Sequence, residues 1–361
     1  MKVVLIGVGQ AGGKVTQRLA EFDFNRDFDA VQGAVAVNTA RADLQQLDID
    51  TALIGQDRVK GHGVGGDNEL GAEIMQDEAT EVLDSLENHL TSEAEAVVIV
   101  AGLGGGTGSG GAPALAREMK RIYDIPVYVL GILPGRDEGA IYQANAGRSL
   151  KTVAREADSL LLIDNDAWRS AGESVEEGFE EINEHIAQRL GLLFASGEVS
   201  AVDQVAESVV DSSEVINTLR PGGMAVVGYA SAEADEEAGE NVNLITSTTR
   251  NALLTGTSVP QVVQARTGLL VVAGDPERIS RKGVERARSW LEDETGSMEV
   301  RGGDFPVESD RIAALVLLGG VERSNRINEF LERAREAQTS TEESGPDRTD
   351  AFQNDDLEDL F

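Results

Sequence analysis

"AVVIVAGLGGGTGSGGAP", residues 96–113, passes from an unbroken apolar segment into seven glycines within positions 102–111, after which "ALAREMKRIYD" resumes an amphipathic pattern. An apolar run bounded by glycine reads as a strand buried on both faces, and the segment after it reads as a helix. Amides without side chains can cradle phosphate oxygens, and the dipole of the following helix adds attraction. The stretch therefore predicts a phosphate-binding turn between strand and helix, with the Thr107 and Ser109 hydroxyls as further donors.

The surrounding chain repeats the strand-to-helix pattern. "KVVLIGVG", "GAVAVNT", "PVYVLGIL" and "SLLLIDN" are also fully apolar runs separated by amphipathic stretches, the signature of an α/β protein with a Rossmann-like parallel sheet wrapped by helices. Ligands of such sheets bind where the strands end, here at "GVGQAGGK", "NTARADL", "GLGGGTGSGG", "LPGRDEG" and "DNDAW". The first of these loops fits G-x-G-x-x-G through Gly7, Gly9 and Gly12. A dinucleotide fold would place an acidic ribose ligand after the second strand, which ends instead at Asn38. It is not a P-loop either, because Gly13-Lys14 is followed by Val15. Glycines needed only for close helix–strand packing are the plain alternative. A third glycine cluster, Gly61 to Gly66, tips the reading toward a nucleoside triphosphate.

Composition excludes several classes. The net charge is −33, and 25 of the 31 basic residues are arginine, so nucleic acid is not an expected partner. From Arg333 onward the chain carries −6, which leaves −27 on the part before it. Repulsion of that size is screened within a few ångströms at molar salt, so the composition suits a salt-rich cytoplasm. There is no cysteine, hence neither disulfides nor thiolate metal sites. No apolar run is long enough to insert directly into a membrane, and a cytoplasmic location is expected. His62 and His185 lack partners at metal-ligand spacing and read as solvated.

The expected organisation is a nucleotide-binding domain over 1–175, a central connecting helix over 176–198, a loop and helix over 199–219, and a smaller α/β domain over 220–325. The central helix follows from Phe179, Ile182, Ile186, Leu190 and Leu193 at steps of three and four. Residues 336–361 are polar and acidic and read as a disordered tail. Its end, "DDLEDLF", places Leu357, Leu360 and Phe361 on one face of an induced helix, fit for a protein partner's groove.

"GGGTGSG" resembles the signature loop of the tubulin/FtsZ superfamily of polymerising GTPases. "GVGQAGG", "AVNTARADL", "GHGVGGDNE" and "PGRDEG" resemble its other nucleotide loops in order, from Met1 to about Gly320. With Gln10, "IDNDA", "VDSSE" and the acidic composition, the chain is most similar to the CetZ group of archaeal tubulin-like proteins. The resemblance implies a GTP/GDP site with Mg2+ held through the phosphates. It assigns the phosphates to Gly9, Gln10, Ala11, Gly12, Gly13 and Lys14, to Asn38, to Gly65 and Gly66, and to Gly105, Gly106, Thr107 and Gly108. Glu138 would take the ribose, and Asn165, Phe179 and Asn183 the guanine. Phe179 and Asn183 also stand four apart on one helix, although core packing and solvation are their plain readings. Asp67, where FtsZ sequences carry asparagine, is left without a role, and Tyr142 replaces an arginine contact. A valine at Gly106 is expected to push into the phosphate site.

No general base stands among these loops. Asp211 and Glu214, three apart at a helix start, are the catalytic candidates, and an N-terminal capping box is their plain reading. In the family this loop acts on the neighbouring subunit's GTP, so the expected partner is a second copy, head to tail, in a filament that controls cell shape. A Rossmann-type NAD(P) oxidoreductase and a non-hydrolysing scaffold stabilised by nucleotide are the alternatives.

Overall fold

In the computed structural model, which describes residues 1–168, 175–197, 210–262, 264–322 and 324–343, the apolar runs of the first half become parallel strands. β1 (Val3–Val8) leads into α1 (Gly9–Arg26), and β2 (Val31–Asn38), α2 (Arg41–Leu44), β3 (Asp50–Leu53) and α3 (Gln56–Val59) follow. Next come α4 (Asn68–Asp77), α5 (Ala79–Ser85), β4 (Ala96–Gly102), α6 (Gly106–Ile122), β5 (Val127–Leu133), α7 (Ala140–Glu156) and β6 (Ser159–Asp164). α8 (Val175–Ser196) and α9 (Ser212–Leu219) separate these from β7 (Met224–Glu233), α10 (Val242–Leu254), β8 (Thr267–Gly274), α11 (Arg281–Thr295), β9 (Glu299–Pro306), β10 (Arg311–Val321) and α12 (Asn325–Glu343).

Among the described residues one sheet holds all ten strands, in the order β3-β2-β1-β4-β5-β6-β7-β10-β8-β9. It is parallel from β3 to β7, antiparallel at β7–β10 and β10–β8, and parallel again at β8–β9. The sheet does not stop at position 220. β6 is buried along its whole length and would be a bare edge without the pairs Leu160↔Met224 and Leu161↔Ala225. Both core layers likewise contain residues from both halves. One packs α6, α7, α10, α11 and α12 on one face through side chains such as Leu115, Leu150, Ile245, Leu291 and Phe330. The other packs α1, α8 and α9 through Leu19, Ile186, Leu190 and Val215.

α8 confirms the expected central helix, with Ile182, Ile186, Leu190 and Leu193 buried. Twenty-two residues give it about 33 Å, enough to cross the domain from the loop side of the sheet to the side where the strands begin. Its far end is fixed there, since the Met1 ammonium donates to Phe194 O at 2.6 Å.

Two expectations change. The glycine run is mostly helix: α6 begins at Gly106, and Thr107 to Gly111 form its buried first turns. Each internal glycine costs about 1 kcal/mol in helix propensity, and close packing overrides it. A Cβ on Gly108 would sit 2.6 Å from Gly102 O, one on Gly71 would sit 2.5 Å from Gly106 O, and one on Gly110 would strike Asn68 O. α12 also continues to Glu343, eight residues into the expected tail, anchored by buried Ile327, Phe330, Leu331 and Ala334 at helical spacing. The DDLEDLF peptide lies outside the described residues. Among the described residues no helix is long and apolar enough to cross a membrane.

Candidate functional site

The site forms where two helix N-termini meet. β1 and β4 are paired in register to Val8↔Ala101, so α1 and α6 begin side by side at the same edge. Contact is close enough that a Cβ on Gly9 would lie 3.0 Å from Gly108 N, and Gly9 turns the chain at φ 76°. The first amides of each helix, at Gly9 to Gly12 and Gly105 to Gly108, have no carbonyl within their own helix to bond. Two helix dipoles therefore point their positive ends at one spot, a site for a polyanion. Gln10, Ala11 and Lys14 are exposed on the first turns of α1, and Lys14 has no ion-pair partner among the described residues. Gly12 and Gly13 face inward: a Cβ on Gly12 would strike Val100 O, and one on Gly13 would lie 2.9 Å from Leu47 Cδ1. For these two side positions the packing reading is correct, while their amides belong to the helix start.

The loop at Gly104 to Gly110, fourth in chain order after those at 7–14, 38–44 and 61–66, divides similarly. Gly105 has ordinary extended torsions, φ −71° and ψ 170°, and nothing within 4 Å of its Cβ direction. A Cβ on Gly106 would instead meet Val64 Cγ2 at 2.5 Å and the Asp67 backbone at 3.0 Å. The expectation that a valine at Gly106 enters the phosphate site is thus corrected: it would drive into the third loop, and Gly105 is the position that opens on the cradle.

Polar side chains hold the loops together. Asn145, buried on α7, donates from Nδ2 to Gly66 O at 2.8 Å and to Gly104 O at 3.0 Å, joining the third and fourth loops. Thr39 and Thr107 share a buried hydroxyl hydrogen bond of 2.8 Å, joining the second and fourth. Pro113 inside α6 offers no N–H to Ser109 O, and Ser149 Oγ donates to that carbonyl at 2.8 Å instead. Asn38 shapes its own loop, accepting from Thr39 N and Ala40 N and donating to Asp43. Asp67 has a structural role as N-cap of α4, accepting from Leu70 N at 3.0 Å. Gly65 and Gly66, at φ 57° and 87°, turn the third loop, and Gly65 faces open space. Sequence reasoning missed Asn145 and the Thr39–Thr107 pair, since a lone amide or hydroxyl carries no periodic signal.

At the same edge of the sheet, Asn165 is buried in a 3-10 turn after β6, and its Oδ1 has no hydrogen-bond partner among the described residues. An orphaned buried acceptor costs on the order of 1–3 kcal/mol until a donor arrives. The guanine N1–H and 2-amino group are such donors. Phe179 is 41 % exposed and Asn183 half-buried on the first turns of α8, at the same end of the domain. Glu138 folds back within its loop, Oε1 accepting from Gly135 N at 2.7 Å. Tyr142 is partly exposed and packs beside Gly104. His62 is exposed, but His185 is half-buried edge-on to Trp168, and burial lowers its pKa.

These residues fit a nucleotide. A magnesium ion would ride on the phosphates, because no group of three or more His, Asp and Glu gathers among the described residues to hold one alone.

Asp211 and Glu214 lie at the other end of the sheet. Ser212, between them, donates to Glu95 Oε1 at 2.6 Å, and Glu95 N bonds Lys2 O where β1 and β4 begin. The length of β1, six residues, puts roughly 20 Å between this end and the phosphate loops. The capping reading holds for Asp211, the N-cap of α9, whose Oδ1 accepts from Glu214 N at 3.2 Å. Ser213 Oγ adds a 2.5 Å bond to the same Oδ1 and holds the Asp211 carboxyl below the usual range. Burial, and then the charge of Asp211, push Glu214 up.

Comparison with known proteins agrees with this geometry. Residues 2–173 match the GTPase domain of the tubulin/FtsZ family, and residues 172–336 match the C-terminal domain of tubulin-like CetZ. The chain is 64% identical over all of its length, and all of the relative's, to tubulin-like protein CetZ2 of Haloferax volcanii. It superposes on the GTPγS-bound protofilament structure of that organism's CetZ2 with a TM-score of 0.91, covering 95% of this chain and 100% of that one at 65% identity. For the GDP-bound monomer of Haloferax volcanii CetZ1 the TM-score is 0.86 at 51% identity, covering 94% and 100%. Convergent helix N-termini, an orphaned acceptor at the same edge of the sheet and this likeness along the whole chain lead to one conclusion: the protein belongs to the CetZ group of the tubulin/FtsZ family of GTPases.

Proposed function

We propose that the protein binds GTP between the α1 and α6 N-termini, hydrolyses it at subunit junctions, and assembles head to tail into cytoplasmic filaments that control cell shape in a salt-loving cell. One observation carries the reading: the phosphate cradle and the Asp211–Glu214 pair occupy opposite ends of the same parallel strands. Neither can serve the other within one chain. Translating one copy along the strand direction brings the carboxylates of one subunit over the phosphates of the next, and an interface of this kind is open-ended. The likeness to a GTPγS-bound protofilament supports the same arrangement.

In this reading the amides of Gly9 to Gly12 and Gly105 to Gly108, with Lys14, neutralise the phosphates, and Gly13 packs the helix start. Asn165 Oδ1 accepts from the guanine amino group, Asn183 adds a second amide, Phe179 covers the ring, and Glu138 turns to the ribose hydroxyls. Magnesium, when bound, neutralises charge on the phosphate oxygens. Asp211 Oδ2 and the Glu214 carboxylate orient and polarise the attacking water, a contribution of roughly 10²–10⁴-fold. The DDLEDLF peptide is proposed as a tether for a protein partner, which a chain ending at Glu343 would test by losing localisation while still assembling.

The test is phosphate release and pelleting in concentrated KCl with GTP against ATP. Release that rises more steeply than linearly with protein concentration supports the reading. Constant turnover per subunit at dilutions where nothing pellets would show that the site is complete within one chain.

A further inference from the structure

Arg326 stands at the start of α12, 162 positions from its partner, and is 6 % exposed. Its Nε donates to Asp164 Oδ2 at 2.5 Å and its Nη2 to Asp164 Oδ1 at 3.0 Å, a bidentate clamp. The same Nη2 donates to Asp166 Oδ2 at 2.7 Å. Asp164 and Asp166 flank Asn165. Asp164 Oδ1 also accepts from Asp166 N at 3.2 Å, which closes the 3-10 turn around Asn165. The Asp166 carboxylate in turn accepts from Arg136 N at 3.2 Å, in the loop that holds Glu138. One turn along α12, Glu329 lies 3.6 Å from Arg136 Nη2, so two residues of one helix face hold both loops.

Burial of this kind is costly. Asp164 is 1 % exposed and Arg326 nearly as hidden, and buried ion pairs seldom repay their desolvation in stability. What this pair does set is direction, because a guanidinium fork fixes both carboxylates in one plane. Asn165 sits between the two clamped residues with its Oδ1 unpaired.

We propose that Arg326 is a positioning residue for base recognition: its clamp on Asp164 and Asp166 aims Asn165 Oδ1 at the guanine 2-amino group. The proposal rests on Asn165 reading the base. It makes the C-terminal helix part of the nucleotide site without touching the nucleotide, and it ties guanine selectivity to the docking of α12.

The experiment uses full-length protein in concentrated KCl and calorimetric titration with GDP and with IDP, which lacks the 2-amino group. Neither nucleotide is hydrolysed, so assembly does not confuse the reading. The variants are Asn165→Ala, Arg326→Lys, which keeps the charge and loses the fork, and Asp166→Asn. All three should lower the preference for GDP over IDP by about tenfold, the worth of one well-placed hydrogen bond, with IDP affinity little changed. A purely structural role would weaken both nucleotides equally. If Asn165→Ala loses the preference while Arg326→Lys and Asp166→Asn keep it, the proposal is wrong and the base reading stands. If Asn165→Ala keeps it, both fall. Should Arg326→Lys unfold, Asp166→Asn decides alone, since Asp166 is part-exposed and its loss leaves the Asp164 clamp in place.

Discussion

Ser212 Oγ donates to Glu95 Oε1 at 2.6 Å, so the first residue of α9 is fastened beside the beginning of β4, the strand whose other end launches α6 and its glycine-rich first turns. The bond ties the carboxylate pair to the sheet at a fixed distance from the cradle. The carboxylates and the glycine loops therefore occupy opposite ends of the same strands.

Asp211→Asn and Glu214→Gln should bind GTP as the unaltered protein does, hydrolyse it roughly 10²–10⁴-fold more slowly, and form filaments that persist. Asparagine caps helices as well as aspartate, so the Asp211 variant removes the charge and spares α9. Phosphate release and pelleting, read together, check this. Mixing Asp211→Asn with a variant unable to bind nucleotide should restore some hydrolysis, because intact loops then meet intact pockets at some junctions.

Hydrolysis should weaken with falling pH above the ordinary glutamate range. Burial and the Asp211 charge raise the Glu214 carboxyl, so it takes up its proton first, while the Ser213 bond keeps Asp211 ionised. Stability from the Asp211 cap has the opposite placement: it is present above the ordinary aspartate value and is lost only as pH falls through the depressed one. Turnover against pH should show an acidic limb that Glu214→Gln lacks.

Gly105→Val should fold normally and lose nucleotide binding, because its Cβ enters open space on the cradle at ordinary torsions. Gly106→Val should lose about 1–3 kcal/mol of stability through its collision with Val64 and Asp67. A chemical denaturation series beside a nucleotide titration separates the two effects. Equal melting of both variants would remove the distinction.

Asn145→Ala leaves Gly66 O and Gly104 O without their donor, at a cost of about 1–3 kcal/mol. Slack between the third and fourth loops should show as weaker GTP binding with base preference intact. Titration with GTP and ITP reads both.

With −33 on the chain, the melting midpoint should rise with KCl as carboxylate repulsion is screened. Thermal melts from dilute buffer to molar salt provide the check, and a flat series would remove the halophilic reading.

Local pattern in the sequence determined much of this protein. Period and burial marked the strands and α8, glycine marked the turns that launch α1 and α6, and charge marked the surface, because each is written in neighbouring residues. Tertiary structure decided which glycines are closely packed and which face open space: a Cβ on Gly108 or Gly110 would meet carbonyls from other elements, while one on Gly105 would not. It also joined the two halves at β6–β7, put Asn145 between two loops, and set Arg326 against Asp164 from 162 positions away. Such contacts depend on the summed course of the chain, which no single stretch records. The separation of cradle and carboxylates is of the same kind, since only the assembled sheet assigns its strands a beginning and an end in space.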